Sequence, residues 1–416
     1  MKKPLIIDWI VIALFIFTFG STVFVFQQMM GYILCVLSLG VIFIALATKK
    51  IRLNSSLSKL DQIIFYTYIF WILLIFFRPL FSTANTFTNG FSLTNPYLGL
   101  SYLIPFTLLL DRKLLSFRKI LTYAYISGII GIFLCLLNYN LLIEAPPSPS
   151  YDFDAYVLHL VRISLPMSLL FGSSILLFVN SKLIPPNYTR LAYTASVLLL
   201  IICLIGGRRG SLAIQLLVLI LHFCYKFFNL KVKNKPLIIF FVVILLFSAA
   251  FSVWTFSDSP FLRFFFERIQ EGTQSRDGVE EFFFRDFGTN KLDWLLGRGI
   301  NGSYESPYSN QINRNIIETG YLQIILNGGI VNLFFFVYFL LSAALKGIFK
   351  SKNVNAKGMG FFLLVYIIYL YPFGLPAFSF EYLIVWICVS YCNSESYRYY
   401  IYSAKERRKN EGFMVR

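Results

Sequence analysis

Apolar residues in this chain come in runs of roughly 20, the length at which a helix crosses a bilayer core, and short polar connections separate them. Reading the runs in order predicts about twelve helices, an all-α polytopic integral membrane protein built as a single transmembrane domain over 1–416. The expected spans are Leu5–Phe26, Met29–Thr48, Leu60–Phe81, Phe91–Leu110, Ile120–Ile143 and Ala155–Asn180. Leu191–Gly206, Gly210–Phe228, Pro236–Phe256, Ile316–Leu345, Gly358–Tyr371 and Ala377–Tyr391 follow. The last two are short, with Pro372, Gly374 and Pro376 in the link between them.

Charge orients the spans. Alternate connections carry Lys50 and Lys59, Lys113 and Lys119, Lys182 and Arg190, Lys231 and Lys235, then Lys346 and Lys357. Positive residues stay on the cytoplasmic side, so these connections face inward and both chain ends are cytoplasmic. The basic tail, 393–416, belongs to the same side. Met1-Lys2-Lys3 resembles the start of a signal peptide, but the apolar run after it is too long, and an uncleaved first helix is expected. One outer connection is long, 257–315, and carries Phe264-Phe265-Phe266 and Phe282-Phe283-Phe284. It is expected to lie over the membrane face with amphipathic pieces at the interface.

Composition narrows the class. The chain is 57% hydrophobic and only 14% charged, too little polar material for a water-exposed surface. Its net charge of +17 is scattered in short clusters between apolar runs. No folded basic face exists for a phosphate backbone, so no nucleic acid is expected. The six cysteines lie in or beside apolar runs with no CxxC pair, and are expected as small buried hydrophobes.

Candidate chemistry sits where polar groups break the membrane rules. Ten of the eleven outer-side basic residues are arginines, among them Arg78, Arg162, Arg208, Arg209, Arg298 and Arg314. Topology needs only positive charge, whereas a guanidinium fork suits phosphate and carboxylate. Gly206-Gly207-Arg208-Arg209-Gly210-Ser211 opens a helix, whose free N–H groups and positive dipole end point at the same place as the two arginines. An anion site is the sharper reading, and a tight turn with arginines snorkelling to headgroups is the plainer one. Arg162, inside the sixth span, is expected to face a cavity or an acidic partner.

Glu318 opens the tenth span, where a carboxylate either favours the helix dipole or serves as a general base. Gly320, Gly328 and Gly329 interrupt that span, as in helices that line polar cavities. Trp294, Tyr304 and Tyr308 have the shape to stack on sugar rings or to anchor at the interface. Asp152-Phe153-Asp154 is a weak metal motif, better read as solvated loop acids. Asp8 is expected to pair with Lys2 or Lys3, and Glu381 with an arginine. His159 is read as a packed residue and His222 is given no role.

The order of three segments resembles a known family. They are Gly207-Arg208-Arg209-Gly210-Ser211, then Leu295-Leu296-Gly297-Arg298-Gly299-Ile300-Asn301-Gly302, then Glu318-Thr319-Gly320-Tyr321-Leu322-Gln323 with Gly328-Gly329-Ile330. This arrangement resembles the O-antigen polymerase (Wzy) and O-antigen ligase superfamily of bacterial envelope proteins. Ligases carry a histidine where this chain has Glu318, which favours a polymerase. The resemblance implies a C-type glycosyltransferase fold in the bacterial plasma membrane. It implies a substrate glycan on undecaprenyl diphosphate, metal-free and cofactor-free chemistry at the outer face, and a flippase and chain-length regulator as working partners beside membrane lipids. Under it, Glu318 and Arg209 are the expected catalytic residues, with Arg208, Arg298, Arg314, Arg162 and Tyr321 holding diphosphate and sugar. A ligase and a lipid-linked sugar transporter are the other readings.

Overall fold

A computed structural model describes residues 6–26, 28–47, 57–78, 100–109, 116–138, 166–180, 184–205, 209–229, 280–300, 302–305, 313–314, 317, 319–371 and 378–399. These residues are mostly helical. Helix α1 spans Ile6–Phe26, α2 Gln28–Ala47, α3 Lys59–Phe77, α4 Phe117–Leu137, α5 Pro166–Phe178, α6 Pro186–Ile205 and α7 Arg209–Asn229. Two short helices follow, α8 at 280–288 and α9 at Lys291–Leu296. A two-residue antiparallel pair joins β1, Tyr304–Glu305, to β2, Asn313–Arg314, with Tyr304 opposite Arg314. The last helices are α10, Gly320–Phe349, α11, Val354–Tyr369, α12, Phe380–Asn393, and α13, Glu395–Arg398.

Among the described residues, four helices are long and apolar enough to cross a membrane: Lys59–Phe77, Phe117–Leu137, Gly210–Phe228 and Gly320–Phe349. Shorter apolar helices accompany them, including Val354–Tyr369 and Phe380–Asn393. The outward faces are apolar too. On α3, Leu60, Ile63, Phe70 and Phe77 are exposed, while Phe65, Tyr68, Ile72 and Ile75 are buried. A helix apolar on both faces but buried on one has a lipid-facing side. The expected ninth span, Pro236–Phe256, lies outside the described residues.

Helix α12 is the centre of the bundle, with all of its residues buried. It packs against α10, α11, α1 and the 3-10 turn Ile104–Leu109. Its Trp386 ring lies 6.2 Å from Tyr68 of α3, stacked, and 6.0 Å from Phe336 of α10, edge-on. Aromatic pairs in this geometry add roughly 0.5–1.5 kcal/mol each beyond burial.

Small residues set the spacing elsewhere, as they do where packing rather than water drives helix association. Ala344 and Gly347 of α10 face Ala356 and Gly360 of α11. A Cβ at Gly347 would stand 2.7 Å from the Ala356 carbonyl and 2.8 Å from Cys392 Sγ. Gly358 of α11 lies against the Phe178 carbonyl with no room for a side chain. All six cysteines are free thiols.

Ion pairs close the ends assigned to the cytoplasm. Lys346 Nζ meets Asp61 Oδ2 at 2.8 Å and Asn393 Oδ1 at 2.9 Å, joining α10, α3 and α12. Asp8 pairs with Lys119 and accepts from the Tyr123 hydroxyl at 2.9 Å. The expected partners of Asp8, Lys2 and Lys3, lie outside the described residues, and the bundle brings Lys119 of α4 to it instead.

Gly358→Leu is expected to cost about 3 kcal/mol by overpacking against the Phe178 backbone, lowering the unfolding temperature in detergent. Gly40→Leu, where nothing lies within 4 Å, is expected to leave it unchanged.

Candidate functional site

Helix α10 is not continuous. Gly329 has φ 73° and ψ −178°, a conformation that glycine adopts and side chains resist. A break inside an apolar helix of membrane-spanning length frees carbonyls that lipid cannot satisfy. Three partners meet them. The Arg298 N–H donates to Leu326 O at 2.7 Å, and the Gly299 N–H to Asn327 O at 2.9 Å. The Trp71 indole Nε1–H, from α3, donates to Gly328 O at 2.9 Å.

The loop after α9 fits the break because of its own glycines. Gly297 ends α9 with φ 68° and ψ −171°. A Cβ there would collide with the backbone of Asn327, Gly328 and Gly329, and one at Gly329 would strike the Leu295 carbonyl. Two glycine backbones therefore approach each other where no other residue pair fits.

The Arg298 side chain locks this docking. Its Nη1 donates to Asp286 Oδ2 at 2.5 Å and to Ser303 O at 2.7 Å, and Nη2 donates to Asp286 Oδ1 at 3.3 Å. Nε donates to Asp293 Oδ2 at 2.8 Å. The guanidinium carbon lies 4.5 Å from the centre of the Phe287 ring. Burial pulls its pKa down, but the hydrogen bonds and charges of Asp286 and Asp293 outweigh that and leave it above the usual arginine range. With two carboxylates and a carbonyl engaged, Arg298 is a clasp for the loop. The guanidinium that the family resemblance assigns to a diphosphate is thus engaged by Asp286, Asp293 and Ser303 in this structure.

Nearby Arg78, at the end of α3, reaches Asp293 Oδ1 at 3.4 Å with Nη2. Its Nη1 is buried without a partner among the described residues. Burial lowers its pKa, and Arg298 adds to that against the pull of Asp293. Arg78 thus holds the uncommitted donor at this place.

The entrance to α10 is built from polar groups. Thr319 Oγ1 donates to Glu280 Oε1 at 2.8 Å, which sets a carboxylate at the N-cap of α10. The Ile317 N–H donates to Gln323 Oε1 at 2.8 Å, and Gln323 Nε2 to Asn327 Oδ1 at 3.2 Å. Beyond the break, Asn332 Nδ2 reaches the Tyr102 hydroxyl at 3.4 Å. Gln323, Asn327 and Asn332 are all buried, a polar stripe along an apolar helix. The Tyr321 hydroxyl donates to Ile367 O at 2.6 Å, which makes this expected substrate residue a strut between α10 and α11.

Other expected residues are placed as follows. Glu318, Arg162 and Arg208 lie outside the described residues, as do His159, Asp152, Asp154 and Tyr308. Arg209 is the first residue of α7 and Arg314 the last of β2, both described in their backbone alone. Trp294 and Tyr304 pack into an aromatic cluster with Phe283 and Phe287, and Tyr304 is 1% exposed, so its ring is core and has no open face for a sugar. Glu381 accepts from the Ser168 hydroxyl at 2.8 Å, and among the described residues it has no salt bridge to an arginine. Sequence reading passed over Trp71, Asp286, Asp293 and Glu280, which carry the docking and the entrance.

No family model, curated protein or solved structure matches this chain.

Arg298→Gln leaves Asp286 and Asp293 without their cation and is expected to cost about 3 kcal/mol. Hydrogen exchange is expected to accelerate across 280–305 and at the break in α10, with α11 and α12 unchanged.

Proposed function

We propose that the chain is a polysaccharide polymerase of the bacterial plasma membrane. It joins undecaprenyl-diphosphate-linked oligosaccharide repeats at the outer face, as members of the O-antigen polymerase superfamily do. The observation that carries this reading is the docking of Gly297–Gly299 onto the break in α10. Two segments that the family resemblance singles out are joined by backbone hydrogen bonds, from Arg298 and Gly299 to Leu326 and Asn327.

In this mechanism the sugar C1–O bond to the lipid diphosphate breaks, and its electron pair leaves with the diphosphate. A hydroxyl of the next lipid-linked repeat forms the new C1–O bond and gives its proton to Glu318. Charge developing on the diphosphate is stabilised by Arg208 and Arg209 at the start of α7, with Arg314, Arg162 and Arg78 as further donors. Arg298 and Tyr321 hold the frame. The chemistry as written needs no metal and no cofactor. A flippase supplying the repeats and a chain-length regulator are the proposed partners.

A transporter for the same lipid-linked glycan is the second reading. The buried polar stripe Gln323, Asn327 and Asn332 on a broken helix favours it. Purified protein in detergent, given a synthetic lipid-linked repeat, separates the two, because detergent leaves no compartment to cross. Polymer of increasing length is the expected product. Unchanged single repeats would overturn the polymerase, and whole-polymer transfer to another acceptor would make the protein a ligase.

Glu318→Gln and Arg209→Ala are each expected to lower polymer yield by about 100-fold or more at normal membrane abundance. Arg298→Lys is expected to keep a measurable fraction of activity. Gel analysis of the surface polysaccharide ladder checks all three variants.

A further inference from the structure

Where α1, α4, α5 and α12 meet, a cavity of about 20 Å³ is bordered by Phe15, Thr18, Ser127, Ser168, Ser379 and Glu381. That is room for one water or one bare monovalent ion. Glu381 is 8% exposed, and Ser168 donates its hydroxyl to Glu381 Oε2 at 2.8 Å. The neighbouring hydroxyl protons are turned to backbone carbonyls. Thr18 Oγ1 donates to Leu14 O at 2.8 Å, and Ser127 Oγ to Leu169 O at 3.0 Å.

A hydroxyl that donates its proton still presents oxygen lone pairs. The wall therefore offers a carboxylate and hydroxyl oxygens, which are acceptors. Among the described residues no lysine or arginine pairs with Glu381. The Tyr366 and Tyr369 phenols of α11 interact electrostatically with it and bring no positive charge. Helix α1 presents Phe15 and Thr18, α4 presents Ser127, and α5 presents Ser168. Glu381 lies in the first turn of α12, whose dipole offsets part of its charge. An ionised carboxylate buried without a full counter-charge is still unfavourable, and a cation or a proton would complete the neutralisation.

We propose that Glu381, with the hydroxyl oxygens of Thr18, Ser127 and Ser168, forms a site for one small monovalent cation, Na+ or a proton. The proposal does not rest on the polymerase reading. Occupancy ties α12, the central helix, to three neighbours, and a ligand bound only in the packed state stabilises that state.

The test uses the full chain in detergent. Calorimetric titration of NaCl into a choline chloride buffer reads Na+, and infrared difference spectra across pH read the carboxylic-acid C=O stretch. For a sodium site, stoichiometric Na+ binding is expected, absent in Glu381→Gln and about tenfold weaker in Ser168→Ala, which removes one hydrogen bond to a charged group. For a proton site, the acid stretch titrates in the native chain, is absent in Glu381→Gln, and shifts along the pH axis in Ser168→Ala. If neither signal distinguishes the native chain from Glu381→Gln, the proposal is wrong. It is equally wrong if the native chain shows neither signal and Arg162→Gln gains one, because Arg162 is then the counter-charge. Should Glu381→Gln fail to fold, the Ser168→Ala comparison decides.

Discussion

The structure depends on one requirement: a helix broken inside an apolar bundle must still find partners for its freed carbonyls. At Gly329 the chain meets it with three donors from two distant places, the Arg298 and Gly299 N–H groups and the Trp71 indole. Everything near the break follows from that need. Gly297 and Gly329 supply conformations that let two backbones touch. Asp286 and Asp293 hold the guanidinium that keeps the loop in register. Helix α3 is fixed against α10 by the same set of bonds that closes the break.

The rest of the bundle is organised around α12, and its contacts are of two kinds. Aromatic rings fill the wide gaps beside α3 and α10, as with Trp386, Tyr68 and Phe336. Glycine and alanine allow close approach between α10 and α11. The ion pairs Asp61–Lys346 and Asp8–Lys119 sit at the assigned cytoplasmic ends, where partial access to water lowers the desolvation cost. The cavity at Glu381 places acceptor groups between packed apolar helices.

Helices were legible in the sequence because a run of apolar residues is a one-dimensional signal. Lys59–Phe77, Phe117–Leu137, Arg209–Asn229 and Val354–Tyr369 each overlap an expected span. Glycines in the Leu295–Gly302 segment and in α10 were visible as irregularities, but nothing in their spacing says that they meet. The partners of Arg298 are hidden in the sequence for the same reason. An arginine facing outward has the composition of an anion site, and the neutralising carboxylates Asp286 and Asp293 become its partners only once α8 and α9 fold around it. Asp8 teaches the same lesson, since Lys2 and Lys3 are near in sequence whereas Lys119 is near in space. Local chemistry is readable from a chain, but choice of partner depends on topology.

The Trp71 contact also bears on how the protein is made. Trp71 and Gly328 are 257 positions apart. At ribosomal speeds of roughly 5–20 residues per second, α3 waits on the order of tens of seconds for its acceptor to be synthesised. During that time its indole N–H must be sheltered by water at the membrane surface, by lipid carbonyls or by the insertion machinery. Biogenesis of α3 is therefore completed late, and a ribosome stalled before residue 328 leaves an early segment without the bond that holds it.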